Sequence, residues 1–168
     1  MIVSEQLNYI KTRRFHAVFM PVLIEFSRCI GTYSSAKFEY VINELCRLLK
    51  VGGTLSVLKH NRAGRVMQMA VLLDDIRKAN DLLDGKDGVS SQFGAIRYYE
   101  DEQIAKWNKR LKLLEVFGIR VFWHLQQNQE KHGTEEWQTQ MMQLEMRVSK
   151  IEEYRKIALF HHLFFTKE

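Results

Sequence analysis

A stretch near residue 50 constrains the fold most, because it joins a helical pattern to a strand through two glycines. The apolar residues that precede it recur at three- and four-residue spacing, which predicts one face of a helix: Phe38, Val41, Ile42, Leu45, Leu48 and Leu49. Gly52 and Gly53 supply the left-handed backbone that ends such a helix. Thr54–His60 (TLSVLKH) alternates in side-chain character as a strand does.

The segment before this helix predicts a second strand. Phe15–Met20 (FHAVFM) is nearly continuously apolar, as expected for a strand buried on both faces of a sheet. Ser34 or Ser35 is available as the N-cap of the intervening helix. Strand, helix, glycine turn and strand form a crossover unit, which predicts an α/β fold with a parallel sheet and flanking helices.

The rest of the chain predicts further helices and strands within one domain, residues 1–168. In order, the patterns predict a helix over about 63–83, a polar glycine-rich loop over Asp84–Ser91, a short helix opening at Glu100–Asp101, a strand over Leu113–Leu125, a helix capped by Thr134, and a final strand over Ile157–Thr166.

Composition and charge narrow the function classes only slightly. The net charge of +5 is compatible with a nucleic-acid or other anionic partner, although solvated lysines give the same excess. Cys29 and Cys46 have no metal-binding spacing, and the histidines form no ligand pattern, so no metal site is predicted. No apolar run is long enough for a membrane span and no signal peptide is evident. We expect a reduced, cytoplasmic setting.

Three segments together resemble a known enzyme family. Leu48–Asn61 (LLKVGGTLSVLKHN) looks like the glycine turn and fifth strand of class I S-adenosylmethionine-dependent methyltransferases, and Phe15–Phe26 resembles their fourth strand. Gly118–Phe122 (GIRVF), Trp137–Arg147 and the terminal ALFHHLFFTK are similar to the last third of the bacterial tRNA methyltransferases that esterify 5-carboxymethoxyuridine.

The resemblance implies a partial Rossmann-like methyltransferase sheet, comprising the fourth to seventh strands, with S-adenosylmethionine as cofactor and tRNA as partner. It places Glu25 at the cofactor pocket, and the alternative is that Glu25 is a solvated acidic residue in a loop. It places Arg120 at the substrate, where a planar guanidinium suits a carboxylate or phosphate. The alternative for Arg120 is an exposed arginine on a strand.

Position in the chain adds further candidates for substrate binding. Asn61, Arg62 and Arg65 follow the predicted strand at its carboxyl end, the edge where open α/β sheets bind ligands. Tyr98 and Tyr99 could stack on a base. The alternatives are a solvated helix start for the first three residues and ordinary packing for the tyrosines.

The chain also departs from the family pattern. It has no GxGxG sequence, the loop that lets the backbone approach the cofactor. Val51 replaces the proline before the glycine pair. We therefore expect the C-terminal half of a methyltransferase, with an unpaired edge on the fourth strand that a partner chain, a second copy or Met1–Arg14 would cover. The rival hypotheses are a non-catalytic module that pairs with a partner chain, and a small nucleic-acid-binding domain.

Overall fold

The described part of the chain, residues 35–90 and 94–168 of a computed structural model, alternates helices with short strands. Its helices are α1 (Ser35–Leu48), α2 (Arg62–Met67), α3 (Ile76–Leu83), α4 (Asp101–Lys106), α5 (Gln129–His132), α6 (Glu135–Val148) and α7 (Glu152–Ile157). A π-helical turn covers Gln68–Leu72 and a 3-10 turn covers Trp123–Leu125. Its strands are β1 (Thr54–His60), β2 (Gly88–Ser90), β3 (Gly94–Ile96), β4 (Leu111–Ile119) and β5 (Phe160–Lys167).

The helix, glycine turn and strand at the start of this region confirm the sequence prediction. The turn after α1 depends on Gly52, whose φ of +76° is a conformation that favours glycine. Two backbone hydrogen bonds join the turn to the end of β5, from Gly52 N–H to Lys167 O at 2.7 Å and from Lys167 N–H to Gly53 O at 2.9 Å. The Lys167 ammonium donates to Leu49 O at 2.5 Å, which places a cation beyond the C-terminal end of α1.

The main sheet has the order β1-β5-β4, and both of its pairings are antiparallel. The predicted parallel pairing joins Phe15–Met20 to Thr54–His60, and its first strand lies outside the described residues. The coarser prediction of mixed α/β structure is confirmed, and the described part of the sheet is antiparallel. The physical reason lies in α6 and α7, which return the chain to the edge where β4 ends. Ile119 at the end of β4 faces Phe160 at the start of β5. From there β5 runs back between β1 and β4, which run in the same direction.

One face of this sheet carries the main core. Helices α1 and α4 pack against β1 and β5, and the ring of Trp107 packs on the same cluster. The buried residues of this core are Phe38, Ile42, Cys46, Leu55, Val57, Tyr99, Ile104, Leu111, Leu163 and Phe165. The predicted helix at Glu100–Asp101 and its buried Ile104 are confirmed, as is Thr134 at the N-cap position of α6.

The prediction of a single helix over 63–83 is wrong. The chain forms α2, a π-helical turn and α3 instead, because Asp74 adopts a φ of +49° and Asp75 starts a new helix. The Asp75 carboxylate accepts a hydrogen bond from Lys78 N–H at 3.0 Å, as an N-cap does. Leu73 and Ile76, two apolar residues that a single helix would place on its inner face, are each 54% exposed.

The two strands predicted in the last third are shorter than expected. β4 ends at Ile119, because Arg120 adopts a φ of +60° that breaks the extended backbone. β5 begins at Phe160, because the residues up to Ile157 form α7. The loop predicted over Asp84–Ser91 contains β2, which pairs with β3.

Several predictions lie outside the described residues: the strand Phe15–Met20, the cofactor-pocket residue Glu25 and the segment Met1–Arg14. In residues 35–90 and 94–168, no helix has the length and hydropathy that crossing a bilayer requires.

Candidate anion-binding site at one edge of the sheet

The carboxyl ends of β1 and β4 lie at the same edge of the sheet, since both strands run antiparallel to β5. Helix α2 follows β1 at this edge, and the turn after β4 leads into the 3-10 turn. Strand ends of this kind are where α/β sheets bind ligands. Five side chains that interact electrostatically gather here, and we call them the edge cluster: His60, Arg65, Tyr98, Arg120 and His124.

Arg65 is the central cation of the edge cluster. It lies in α2, and its guanidinium donates to the side-chain oxygen of Gln68 and, at 3.4 Å, to Val89 O. Burial raises the pKa of Tyr98 to about 12, and the charge of Arg65 opposes that rise. The same charge acts on both histidines of the cluster, so Arg65 lies within electrostatic reach of three of its four neighbours.

The two histidines of the cluster are neutral near pH 7. Burial and then the charge of Arg65 lower the pKa of His60 to about 4. Burial and then the charge of Arg120 lower the pKa of His124 to about 4, against the opposing effect of the Arg120 and Gly64 carbonyls. Within the described residues, the ring nitrogens of His60 and His124 make no hydrogen bond of good geometry. The His60 ring therefore has hydrogen-bonding capacity that the described residues do not use, whereas the Arg120 and Gly64 carbonyls already act on the His124 ring.

Arg120 brings the second guanidinium to the cluster from an unusual backbone conformation. A left-handed residue other than glycine costs about 1–2 kcal/mol and needs support from its surroundings. The Arg120 carbonyl accepts a hydrogen bond from Leu159 N–H at 3.3 Å. Its Nε is buried without a hydrogen-bond partner among the described residues. Burial lowers the pKa of Arg120, and the nearby Glu145 acts against this.

The turn that follows Arg120 is bound by a carboxylate from another helix. Glu145 in α6 is 3% exposed and accepts hydrogen bonds from the backbone N–H groups of Val121, Phe122 and Trp123, each at 2.8 Å. Successive N–H groups that converge in this way form a nest for an anion. An internal acid therefore fills the nest beside the edge cluster.

Two of the predicted substrate residues have structural partners. The Asn61 side-chain amide donates to Lys156 O and Ala158 O, both at 2.8 Å, and so ties the end of β1 to the connection before β5. Arg62 donates to Leu82 O at 2.8 Å and lies 4.8 Å from the centroid of the Tyr98 ring. The fold accounts for both residues, whereas the charges of Arg65 and Arg120 both act on His124 in the edge cluster.

The predicted base-stacking role of Tyr99 has no support in its surroundings. Its side chain is 7% exposed and stacks on Phe38, with ring centroids 5.2 Å apart. Trp107 packs edge-on against it at 5.2 Å. The structure therefore places the Tyr99 ring in the core rather than at the ligand edge.

A buried ion cluster of Lys59, Asp101 and His161 lies on the face of β1 that is opposite to the His60 side chain. Asp101 lies 2.7 Å from the Lys59 ammonium and 2.9 Å from His161 Nδ1. Lys59 also donates to Tyr99 O at 2.7 Å, and His161 Nε2 donates to Arg155 O at 2.9 Å. Burial raises the pKa of Asp101, but the His161 hydrogen bond and the Lys59 charge outweigh it and hold this pKa below its ordinary value. This cluster is fully paired and connects α4 to the sheet.

Sequence reasoning missed His60, His124 and Glu145. His60 has the pattern of an ordinary last residue of a strand, and nothing in that pattern indicated its interaction with Arg65, which lies five residues further on in α2. Glu145 did carry a signal, because it falls on the same helical face as Met141 and Val148 in an otherwise apolar stripe. An acid on an apolar face must find partners there.

Comparison of the sequence with models of protein families and with curated proteins finds no match. In the part of the chain that the structure describes, no group of three or more His, Cys, Asp or Glu side chains is placed to hold a metal ion. The edge cluster instead offers two guanidinium groups and two neutral imidazoles, a set suited to a carboxylate or phosphate.

Proposed function

We propose that this chain provides the acceptor-binding part of an S-adenosylmethionine-dependent methyltransferase whose acceptor group is a carboxylate, such as that of a modified tRNA uridine. The sequence support is the similarity of Leu48–Asn61 and Gly118–Phe122 to that family. The observation that carries the proposal is that the charges of Arg65 and Arg120, which follow two different strands, both act on the His124 ring, beside a His60 ring whose nitrogens have no hydrogen-bond partner among the described residues.

The order of the strands also supports the proposal. In class I methyltransferases the last strand lies antiparallel between the two strands that precede it in the chain. β5 lies in this way between β1 and β4. On that correspondence, β1, β4 and β5 are the fifth, sixth and seventh strands of the family, and the edge cluster lies at the carboxyl ends of the first two.

The cluster suits a carboxylate that must be aligned and partly desolvated. A carboxylate is nucleophilic at neutral pH, so the site needs no general base. Arg65 and Arg120 would hold the anion by charge-assisted hydrogen bonds. The neutral rings of His60 and His124 would add donors without another positive charge. Orientation and exclusion of water are the contributions that such a site makes to group transfer.

The described residues do not fit the cofactor. The chain has no GxGxG loop, and β1 passes into α2 through Asn61, whose side-chain amide is already bonded to two carbonyls. The cofactor's binding groups must therefore come from elsewhere, and we derive no catalytic step through it.

The test is binding of a tRNA that carries a 5-carboxymethoxyuridine, compared with the same tRNA carrying unmodified uridine. We expect the wild-type chain to prefer the carboxylate-bearing tRNA and the Arg120→Ala variant to lose about tenfold in affinity for it, equivalent to about 1.4 kcal/mol. Arg147→Ala is the matched control, because Arg147 is an exposed arginine in the last turn of α6. Equal binding by wild type and Arg120→Ala would overturn the acceptor role.

A second candidate function is a non-catalytic module that pairs with a partner chain. The observation that favours it is that β1 pairs with β5 on one side, while the backbone groups on its other side pair with no strand among the described residues. Such an edge can add a strand from another chain. The tRNA comparison above separates the two, since the module would show no preference for the carboxylate-bearing tRNA while keeping a partner in sedimentation experiments.

A further inference from the structure

We propose that Glu145 is the positioning residue of the edge cluster: it holds the turn after β4, which carries Arg120 at one end and His124 at the other. The inference rests on the proposed function in one respect, because it takes the cluster to be the site of the acceptor anion. Its geometric basis is independent of methyl transfer.

The hydrogen bonds of Glu145 fix the turn at three consecutive residues. Oε2 accepts the N–H of Val121, and Oε1 accepts the N–H groups of Phe122 and Trp123, all at 2.8 Å. This segment lies between the two cluster residues, directly after Arg120 and directly before His124. A displacement of the turn therefore displaces both.

Helix α6 fixes the chain on the other side of Arg120 as well. Just after the helix ends, Ser149 O accepts the N–H of Gly118 at 2.7 Å. The left-handed Arg120 thus lies between two backbone segments that are both bound to the same end of α6. Such a conformation persists where the surroundings over-determine it, and without Glu145 the right-handed region would be favoured.

The bonding pattern positions Arg120 without an ion pair between its guanidinium and Glu145, although the carboxylate charge acts on Arg120 from nearby. Both Glu145 oxygens are occupied by amides, and Arg120 forms no ion pair among the described residues, so its Nε remains unused. A side chain within the turn itself can cap a 3-10 turn. Glu145 is more than 20 residues away in the sequence, so its hydrogen bonds also fix the position of the turn relative to α6.

The first experiment measures the pKa of His124 by NMR titration in wild type, Glu145→Gln and Val148→Ala. Val148 is the matched control, because it is buried in the same helix, packs beside Val121 and makes no side-chain hydrogen bond to the turn. We expect about 4 for wild type and Val148→Ala. For Glu145→Gln we expect a rise of roughly one unit or more, as the ring gains water and the Arg120 charge moves away.

An unchanged His124 pKa in Glu145→Gln would overturn the proposal, and so would an equal rise in Val148→Ala, because general loosening would then explain it. If Glu145→Gln does not fold, Glu145→Asp withdraws the carboxylate by one methylene and is expected to raise the same pKa. An unchanged value in that variant would also overturn the proposal.

The second experiment follows the His124 signals as acetate is added. Acetate should bind to Glu145→Gln roughly tenfold more weakly than to wild type or Val148→Ala. Equal binding by Glu145→Gln and wild type would overturn the role of Glu145 and leave the proposed function standing. Absence of any acetate response in wild type would overturn both, because there would be no anion site to position.

Discussion

Lys59 and His161 are direct partners across the antiparallel ladder of β1 and β5, and both reach the carboxylate of Asp101 in α4. The Lys59 side chain is 6% exposed, so its charge depends on this carboxylate for compensation. The three residues join two strands and a helix by charge rather than by apolar contact.

Replacing Asp101 by asparagine should destabilise the fold strongly. Lys59 would remain buried with no negative partner, and loss of one member of a buried ion pair costs about 3–5 kcal/mol. Urea unfolding at neutral pH measures the difference. The control is Asp81→Asn, which removes an exposed ion pair with Lys86 and should cost less than about 1 kcal/mol. Equal costs for the two variants would contradict the buried role of Asp101.

Stability should fall as the pH drops below about 6.5. The pKa values of His60, His124 and His162 lie near 4, below the ordinary 6.5, so the unfolded chain binds more protons in this window. Each histidine then contributes a loss of at most about 1.4 kcal/mol per pH unit. Asp101, whose pKa is depressed, adds a further loss only as the pH falls through the ordinary carboxyl range.

Urea unfolding at about pH 7, 5.5 and 4.5 tests whether the free energy of unfolding falls as the pH falls. Substituting His162, which is 2% exposed, with glutamine should reduce the slope of unfolding free energy against pH. A free energy of unfolding that stays constant across these three values would show that the histidines titrate alike in both states.

Gly64→Ala should cost about 3 kcal/mol or more. An added Cβ would collide with the backbone of Ala158 and lie 2.6 Å from Leu159 Cα, and neither can move without displacing the start of β5. Gly133→Ala is the matched control, since nothing lies within 4 Å of its added Cβ and its φ of −78° suits alanine. Thermal unfolding should separate the two, and a tolerated Gly64→Ala would mean that α2 packs less closely than described.

Arg65→Gln should raise three pKa values at once. The Arg65 charge lowers the pKa of both cluster histidines and opposes the burial-driven rise at Tyr98, so its loss should move all three upward. NMR titration follows the rings, and ultraviolet absorbance follows the phenol. Arg62→Gln is the control, because Arg62 affects Tyr98 but neither histidine. Histidines that titrate as in wild type would place Arg65 outside the cluster.

Elements with local signals could be predicted from the sequence, and those set by distant partners could not. The stripe of α1, the turn at Gly52 and the strand Thr54–His60 all lie within one short window, and the predicted strand bounds match β1. The antiparallel insertion of β5 depends on where α6 and α7 return the chain, which no local pattern encodes. The break before α3 did have a local signal, since Asp75 is a favoured N-cap residue within an otherwise helical pattern.

The residues of the candidate site also differ in whether a local sequence pattern could identify them. Arg65 could be placed at the ligand edge because it follows a strand closely, and Arg120 because of the resemblance of GIRVF. His124 is 59 positions from Arg65 and meets it only after the sheet has formed, whereas His60 is a sequence neighbour of Arg65 but carries no pattern that marks it as a site residue. Tyr99 differs from Tyr98 by one position, and only packing decides that its ring enters the core.

The place of β5 between β1 and β4 has a consequence for synthesis on the ribosome. β5 is the central strand of the three and the last to be synthesised. Until it is made, β1 and β4 lack the strand with which both pair in the described structure. A stop codon shortly before Phe160 would remove the middle of the sheet rather than its margin. Nascent chains released at that point should expose two strand edges and be recognised by chaperones or proteases.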